Sequence, residues 1–115
     1  MTEFIQVLIT TDREDDAQRI ARELVARRLA GCVHVLGPIQ STYHWEGKIE
    51  SAEEWRLEIK TRRDHFGELE KAIRQLHTYD VPQILALEIV EGSQPYLDWL
   101  RRETELDGAT DRRED

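Results

Sequence analysis

The side chains best suited to chemistry in this 115-residue chain are two soft metal donors. Cys32 is the only cysteine, and a thiolate favours Cu(I) among metal ions. His77 is the second candidate, because histidine is a common metal ligand that also titrates near neutral pH. Each has a structural alternative, since a free cysteine is often a buried core residue and a histidine that ends a helix complements the helix dipole. Cys32 and His77 are therefore predicted metal donors, with packing roles as the competing interpretation.

Two further residues are predicted to line a ligand cleft together with Cys32 and His77. Lys60 ends a predicted strand, where it can meet an anion, although most lysines are simply solvated. Tyr79 follows His77 by two positions, beyond a predicted helix. That helix is expected to meet a long hairpin, and the polar residues there predict a ligand cleft between subunits. The residues predicted to line the cleft are Cys32, Lys60, His77 and Tyr79.

Aromatic residues along the predicted hairpin indicate subunit contacts rather than a cofactor platform, because aromatic side chains are common interface anchors. These residues are Tyr43, Trp45 and Trp55. A short acidic run (Glu50, Glu53 and Glu54) lacks the spaced oxygen ligands of a calcium loop and indicates a solvated strand face. His34 and His44 fall on the even-numbered side of the same hairpin, where solvation is favoured over adventitious copper binding.

Composition narrows the classes of partner. The net charge of −8, with basic residues interspersed among acidic ones, argues against nucleic acid. The apolar runs are too short to span a bilayer, and a lone cysteine excludes an internal disulfide. The sequence contains no glycine-rich phosphate loop, no G-x-S-x-G and no H-E-x-x-H motif. We therefore predict a cytoplasmic protein that is not an enzyme.

Hydrophobic periodicity predicts the elements that position these residues. Residues 4–10 and 84–90 are nearly all apolar and predict strands buried on both faces. A helical stripe from Ala17 to Leu29 lies between a Thr11–Glu14 capping box and a glycine cap at Gly31. Further helices are predicted after Asp64 and after Ser93, each capped by that residue, with His65 exposed in a first turn.

Two extended segments, Cys32–Trp45 and 49–60, surround a short Glu-Gly-Lys turn and predict a long hairpin. Gly37-Pro38 marks its first strand as an edge strand or a bulged one. The resulting order, β-α-β-β-α-β and a final helix, predicts an α+β ferredoxin-like domain over residues 1–106. Residues 107–115 form a predicted disordered acidic tail. Because the hairpin overhangs so small a domain, we expect another subunit to cover it.

Several motifs in this order resemble the CutA divalent-cation-tolerance family. The most specific are the hairpin tip and the segment after the second helix. The motifs are Arg28-Leu29-Ala30-Gly31-Cys32-Val33, Ser41-x-Tyr43-x-Trp45-Glu46-Gly47-Lys48, His77-x-Tyr79-x-Val81-Pro82 and Gly92-x-x-x-Tyr96-Leu97-x-Trp99. The resemblance covers about residues 7–104.

The resemblance implies a cytoplasmic homotrimer, similar in architecture to the nitrogen-regulatory PII proteins, that is associated with tolerance of copper and other divalent cations. It implies a metal ion or small ligand at clefts between subunits. It also implies copper ligands at three positions, which in this chain are Ile9, Leu76 and His77, so that only one of the three can bind a metal. A PII-like regulator that binds a small anion or a partner protein, without a specific metal site, is the alternative.

Overall fold

The computed structural model describes residues 2–106, and within them the elements follow the predicted order. They are β1 (Phe4–Thr11), α1 (Glu14–Ala26), β2 (Cys32–Trp45), β3 (Lys48–Arg62), a 3₁₀ turn (Arg63–His65), α2 (Phe66–Leu76), β4 (Leu85–Glu88) and α3 (Gln94–Glu103). The strands form one antiparallel sheet in the order β2-β3-β1-β4. The ferredoxin-like α+β prediction is confirmed. The predicted tail, 107–115, lies outside the described residues.

The hydrophobic core lies between one face of the sheet and the helices α1 and α2. Side chains that alternate along β1 and β3 point into it, because successive residues of a strand face opposite sides. The fully buried members are Val7, Ile9, Leu57 and Ile59 from the strands, Ile20 and Leu24 from α1, and Leu69 and Ile73 from α2. Burial of each contributes about 1.5–3 kcal/mol relative to exposure, so this layer holds the sheet and the two helices together.

The opposite side of the sheet, which we call the open face, is left uncovered by α1 and α2. It carries the residues that alternate with the core positions. They include Leu8 on β1, Cys32 and His34 on β2, Arg56, Glu58 and Lys60 on β3, and Leu85 and Leu87 on β4. Only one end of the open face is covered by α3, where the Arg62 guanidinium donates to the Arg101 carbonyl at 2.7 Å.

The β2–β3 hairpin extends well beyond the rest of the sheet. Its two-residue turn, Glu46-Gly47, has positive φ angles of 50° and 81°, the geometry of a tight hairpin turn that matches strand twist. β1 accompanies β3 only as far as the Thr11–Trp55 pair, so residues 39–54, the hairpin arm, have no third strand beside them. The register of β2 shifts between Leu36 and Ile39, which confirms a bulged edge strand.

The prediction of a buried strand over 84–90 is wrong. β4 is only four residues long, all of them exposed, with Leu85 at 53% and Leu87 at 51% of full exposure. The reason is its place at the sheet edge, where it pairs with β1 alone and presents both leucines on the open face. The apolar composition of this segment reflects a surface that the isolated chain leaves uncovered.

Several predicted helix ends are also wrong. Arg13 rather than Thr11 is the N-cap of α1, and the Thr11 hydroxyl donates to the Arg13 carbonyl at 2.9 Å. Arg28, with φ of 60°, takes the left-handed position after α1, whereas Gly31 allows close packing against Leu100. The 3₁₀ turn places Asp64 before the helix and turns His65 inward, where it is only 9% exposed.

Candidate functional site

His77 and Tyr79 belong to a closed hydrogen-bond network at the C-terminal end of α2. His77 Nε2 lies 2.7 Å from the Thr10 carbonyl oxygen, which can only accept, so Nε2 carries the hydrogen. Nδ1 accepts the backbone N–H of Tyr79 at 3.0 Å. The ring is 8% exposed, and both nitrogens are therefore occupied within the chain. A metal ion would have to displace the Tyr79 amide to reach His77.

The Tyr79 hydroxyl completes this network by donating to Glu54 Oε2 at 2.6 Å. Burial, together with this bond to a carboxylate, raises the pKa of Tyr79 well above its ordinary value. The hydroxyl is therefore a permanent donor at neutral pH, and it ties the segment after α2 to β3. We call Thr10, Glu54, His77 and Tyr79 the His77 network.

A second group of polar side chains lies on the open face at the start of β2. Cys32 is half-buried, and its Sγ lies 3.7 Å from His34 Nε2. The other nitrogen of the ring, Nδ1, is 3.3 Å from Lys60 Nζ and 4.0 Å from Glu58 Oε1. Lys60 and Glu58 face Cys32 and His34 because they are their direct partners in the β2–β3 register. We call these four residues the Cys32 cluster.

Two residues outside the Cys32 cluster, Arg56 and Tyr96, contact it. The Arg56 guanidinium, 2.6 Å from Glu58 Oε2, lowers the pKa of Glu58 through their hydrogen bond, so that the carboxylate stays ionised. Tyr96 of α3 lies against Cys32, and burial, followed by the adjacent thiol, raises the pKa of the Tyr96 hydroxyl. The cluster thus contains an ionised carboxylate, Glu58, held by Arg56, and it is flanked by the aromatic ring of Tyr96.

Within one chain, the residues predicted to line the cleft form two separate pairs. Cys32 and Lys60 are adjacent, and so are His77 and Tyr79. Along β3, however, Lys60 lies four residues from Arg56, the register partner of Thr10, a separation of about 13 Å along the strand. One chain therefore does not bring the four residues together. His34, which sequence reasoning assigned to solvent, joins the first pair, and its signal was the two-residue spacing from Cys32 on a strand.

The positions at which the family resemblance implied copper ligands are apolar apart from His77. Ile9 is fully buried in the core, and Leu76 is the last residue of α2. Among residues 2–106, the structure places no three histidine, cysteine, aspartate or glutamate side chains so that they could hold one metal ion.

The predicted interface aromatics fall into two environments. Tyr43 and Trp45 lie on the hairpin arm, 43% and 60% exposed. Trp55 is half-buried at the base of the arm, where its indole packs against Gly37 so closely that a Cβ there would collide with it. Tyr43 and Trp45 are thus available to a second subunit, whereas Trp55 already has an intramolecular partner.

Together the antiparallel sheet, the two helices on one face and the long hairpin define a ferredoxin-like α+β protein. Residues 5–103 match the sequence profile of the family described as CutA1 divalent ion tolerance protein. The divalent-cation tolerance protein CutA of Thermus thermophilus is 44% identical over 98 residues, 85% of this chain and 95% of that protein. The chloroplastic protein CutA of Arabidopsis thaliana is 39% identical over 87% of this chain and 55% of that protein. The chain belongs to the CutA family.

Solved structures agree with this membership. The Thermus thermophilus Cut A1 structure superposes with a TM-score of 0.86 at 42% identity, over 89% of this chain and 99% of that one. A structure described as the periplasmic divalent cation tolerance protein CutA from Archaeoglobus fulgidus gives 0.87 at 37% identity, over 89% and 99%. These family names refer to ion tolerance and not to an enzymatic reaction. Within residues 2–106, no helix has the length and apolar character to cross a membrane.

Proposed function

We propose that the protein is a cytoplasmic homotrimer, without catalytic activity, that contributes to divalent-cation tolerance by binding a metal ion, copper first, or a small ligand at clefts between subunits. The observation that carries this proposal is the uncovered apolar surface of the hairpin arm and of β4. A second copy of the chain is the occupant that fits this surface, because PII-like architecture pairs long hairpins across subunits.

Large apolar side chains are exposed in both of these regions, and this exposure supports assembly. On the hairpin arm, Trp45 and Ile49 are 60% and 73% exposed, and β4 adds two leucines on the open face. Residues of this size seldom form contiguous exposed patches on monomers. The arm is also part of a molecule 53 Å long but only 28 by 22 Å in cross-section, an extended shape for one small domain.

Light scattering coupled to size exclusion tests the assembly. We expect a mass of three chains for the unmodified protein and a lower mass for Ile49→Asp, because the aspartate would be desolvated at the interface. Val25→Asp is the matched control, since Val25 is also exposed but lies on α1, away from the arm. A single-chain mass for the unmodified protein would contradict the proposal.

Calorimetric titration of the apo protein with Cu(I), Cu(II) and Zn(II) tests metal binding. The donor chemistry of the Cys32 cluster, thiolate and imidazole, suits copper better than it suits a hard cation. We expect saturable binding of copper at a fixed ratio to chain. An absence of saturable binding for all three ions would contradict the metal part of the proposal and leave the small-ligand part.

The exposed tip of the hairpin favours a second candidate, a PII-like regulator that binds a partner protein. Glu46 and Lys48 are exposed at the far end of the arm, where a partner can reach them. Pull-down with the full chain and with the double variant Glu46→Asn/Lys48→Ser, which keeps Trp45 and Ile49 for assembly, discriminates the two. A metal-binding trimer without partners loses nothing on this replacement, whereas a regulator loses its partner.

A further inference from the structure

The open face holds a thiol and an imidazole close enough to share one metal ion. Cys32 Sγ and His34 Nε2 are 3.7 Å apart, since residues two apart on a strand face the same side. With bonds of the lengths found in zinc sites, about 2.3 Å to sulfur and about 2.0 Å to nitrogen, this separation corresponds to a donor–metal–donor angle of roughly 120°. We propose that Cys32 and His34 form a Cu(I) site, an inference that rests on the metal-binding part of the proposed function and specifies its residues.

The groups behind His34 support the ligand orientation of its ring. When the hydrogen is on Nδ1, it faces the Glu58 carboxylate at 4.0 Å, and the Nε2 lone pair faces Cys32 Sγ. A carboxylate behind a metal-bound histidine is the usual device that orients such a ring. When the hydrogen is on Nε2 instead, Lys60 donates to Nδ1 at 3.3 Å and Nε2 donates toward the sulfur. The ring is therefore hydrogen-bonded in the metal-free form. Metal binding needs a change of tautomer and a movement of the Lys60 ammonium away from Nδ1, because an ammonium cannot accept a hydrogen bond.

Charge and donor number favour Cu(I) over Zn(II) at this position. A thiolate and one monovalent copper ion are neutral together, whereas Zn(II) would leave a positive charge beside the Lys60 ammonium and the Arg56 guanidinium. A structural Zn(II) site also takes four protein ligands, and the Cys32 cluster offers a sulfur and a nitrogen. Soft thiolate donors suit both Cu(I) and Zn(II), so charge and donor number make the distinction here. Because His34 is exposed in the single chain, its side of the site can receive a third donor, from solvent or from a neighbouring subunit of the proposed trimer.

A comparison with the other histidines identifies His34 as the nitrogen donor of the proposed site. The His77 ring has no lone pair that is free of a hydrogen bond, and it is buried. His44 is exposed on the same strand as His34, but it lies in the hairpin arm beyond the register shift and pairs with Ile49. His44 therefore provides a matched control with the same residue type, strand and exposure.

The test is Cu(I) titration under reducing conditions against a chromophoric competing chelator, with Cys32→Ser, His34→Asn and His44→Asn. We expect one Cu(I) per chain in the unmodified protein, loss of this binding in Cys32→Ser, and weakening in His34→Asn by more than the roughly 10- to 100-fold typical of an outer-shell change. His44→Asn should bind as the unmodified protein does. Glu58→Gln should weaken binding by about tenfold, the lower end of that range.

A second readout is the rate of alkylation of Cys32, measured by mass spectrometry. Cu(I) should slow this alkylation in the unmodified protein and in His44→Asn, but much less in His34→Asn. Copper binding that is unchanged in both Cys32→Ser and His34→Asn would overturn this site while leaving the proposed metal function in place. Absence of Cu(I) binding by the unmodified protein would overturn both. Stronger binding of Zn(II) than of Cu(I) would overturn the choice of ion.

Discussion

The His77 network and the Cys32 cluster both place an imidazole beside the same sheet, yet they differ in what the ring can still do. In the His77 network, both nitrogens are bonded to backbone groups and the ring is 8% exposed. In the Cys32 cluster, the ring is exposed and its neighbours are side chains that can move. The capacity of a histidine to bind a ligand therefore depends on a free lone pair and an approach path, which residue type alone does not provide.

The two rings differ in burial, so substitutions at them should affect different properties of the protein. Removal of a group from a buried, satisfied network leaves its partners without hydrogen bonds, and this costs free energy. Removal of an exposed group leaves its partners to water. We therefore expect substitutions in the His77 network to change the free energy of unfolding and substitutions in the Cys32 cluster to change ligand affinity.

The largest change in the free energy of unfolding is expected from His77→Ala. This substitution leaves the Thr10 carbonyl and the Tyr79 amide unpaired and opens a cavity, and we expect it to lower the free energy of unfolding by about 2–4 kcal/mol. Urea denaturation at one fixed protein concentration measures it, because the stability of an oligomer depends on concentration. His44→Ala is the control. A loss equal to that of the control would mean that the His77 network is not structural.

Tyr79→Phe should have the next largest effect. It removes the hydroxyl that donates to Glu54, whose side chain is only 8% exposed, and leaves that carboxylate without its hydrogen bond. We expect a loss of about 1–3 kcal/mol in the same assay. Glu54→Gln should cost less, because an amide oxygen can still accept from the tyrosine hydroxyl. A larger loss for Glu54→Gln than for Tyr79→Phe would contradict the assigned direction of this bond.

His65 provides a third, intermediate case, a buried ring whose Nδ1 has no partner among the described residues. Burial lowers its pKa below 6.5, against the opposing effect of Asp64 and with a smaller contribution from Arg62. The folded state thus binds fewer protons than the unfolded state, so stability should be full above about pH 6.5 and should fall as the pH is lowered through the folded-state pKa.

The difference in unfolding free energy between the unmodified protein and His65→Gln, followed from pH 7.5 to 5.5, isolates this contribution from the carboxylates that titrate nearby. We expect the unmodified protein to lose stability more steeply than His65→Gln. Parallel curves would show that the proton on His65 does not distinguish the folded from the unfolded state.

The smallest expected effect is on the stability of His34→Asn. Because His34 is exposed and bonded only to side chains, its replacement should change the free energy of unfolding by no more than about 0.5 kcal/mol. The measurement is the same urea denaturation in the absence of metal. A loss comparable with that of His77→Ala would remove the distinction between the two regions.

Local patterns were enough to predict much of this molecule. The stripe of α1 and the alternation of Leu57 and Ile59 on β3 are properties of helical and strand periodicity. The tight turn at Gly47 needs a residue that tolerates positive φ, and the glycine at this position predicts that turn directly. The predictions failed where the position of a residue in the folded chain decides the outcome, as at His65, which turns inward, and at β4, which lies exposed at the sheet edge.

The sequence by itself determined the order of the elements, the hairpin and the two-residue spacing that puts Cys32 and His34 on one side of a strand. Only the tertiary structure decided that this side is the open face, that Glu58 and Lys60 lie opposite, and that the residues of the predicted cleft form two separate pairs within one chain. The physical reason is that side-chain periodicity is local, whereas burial and hydrogen-bond partners depend on strands and helices that meet across the sheet.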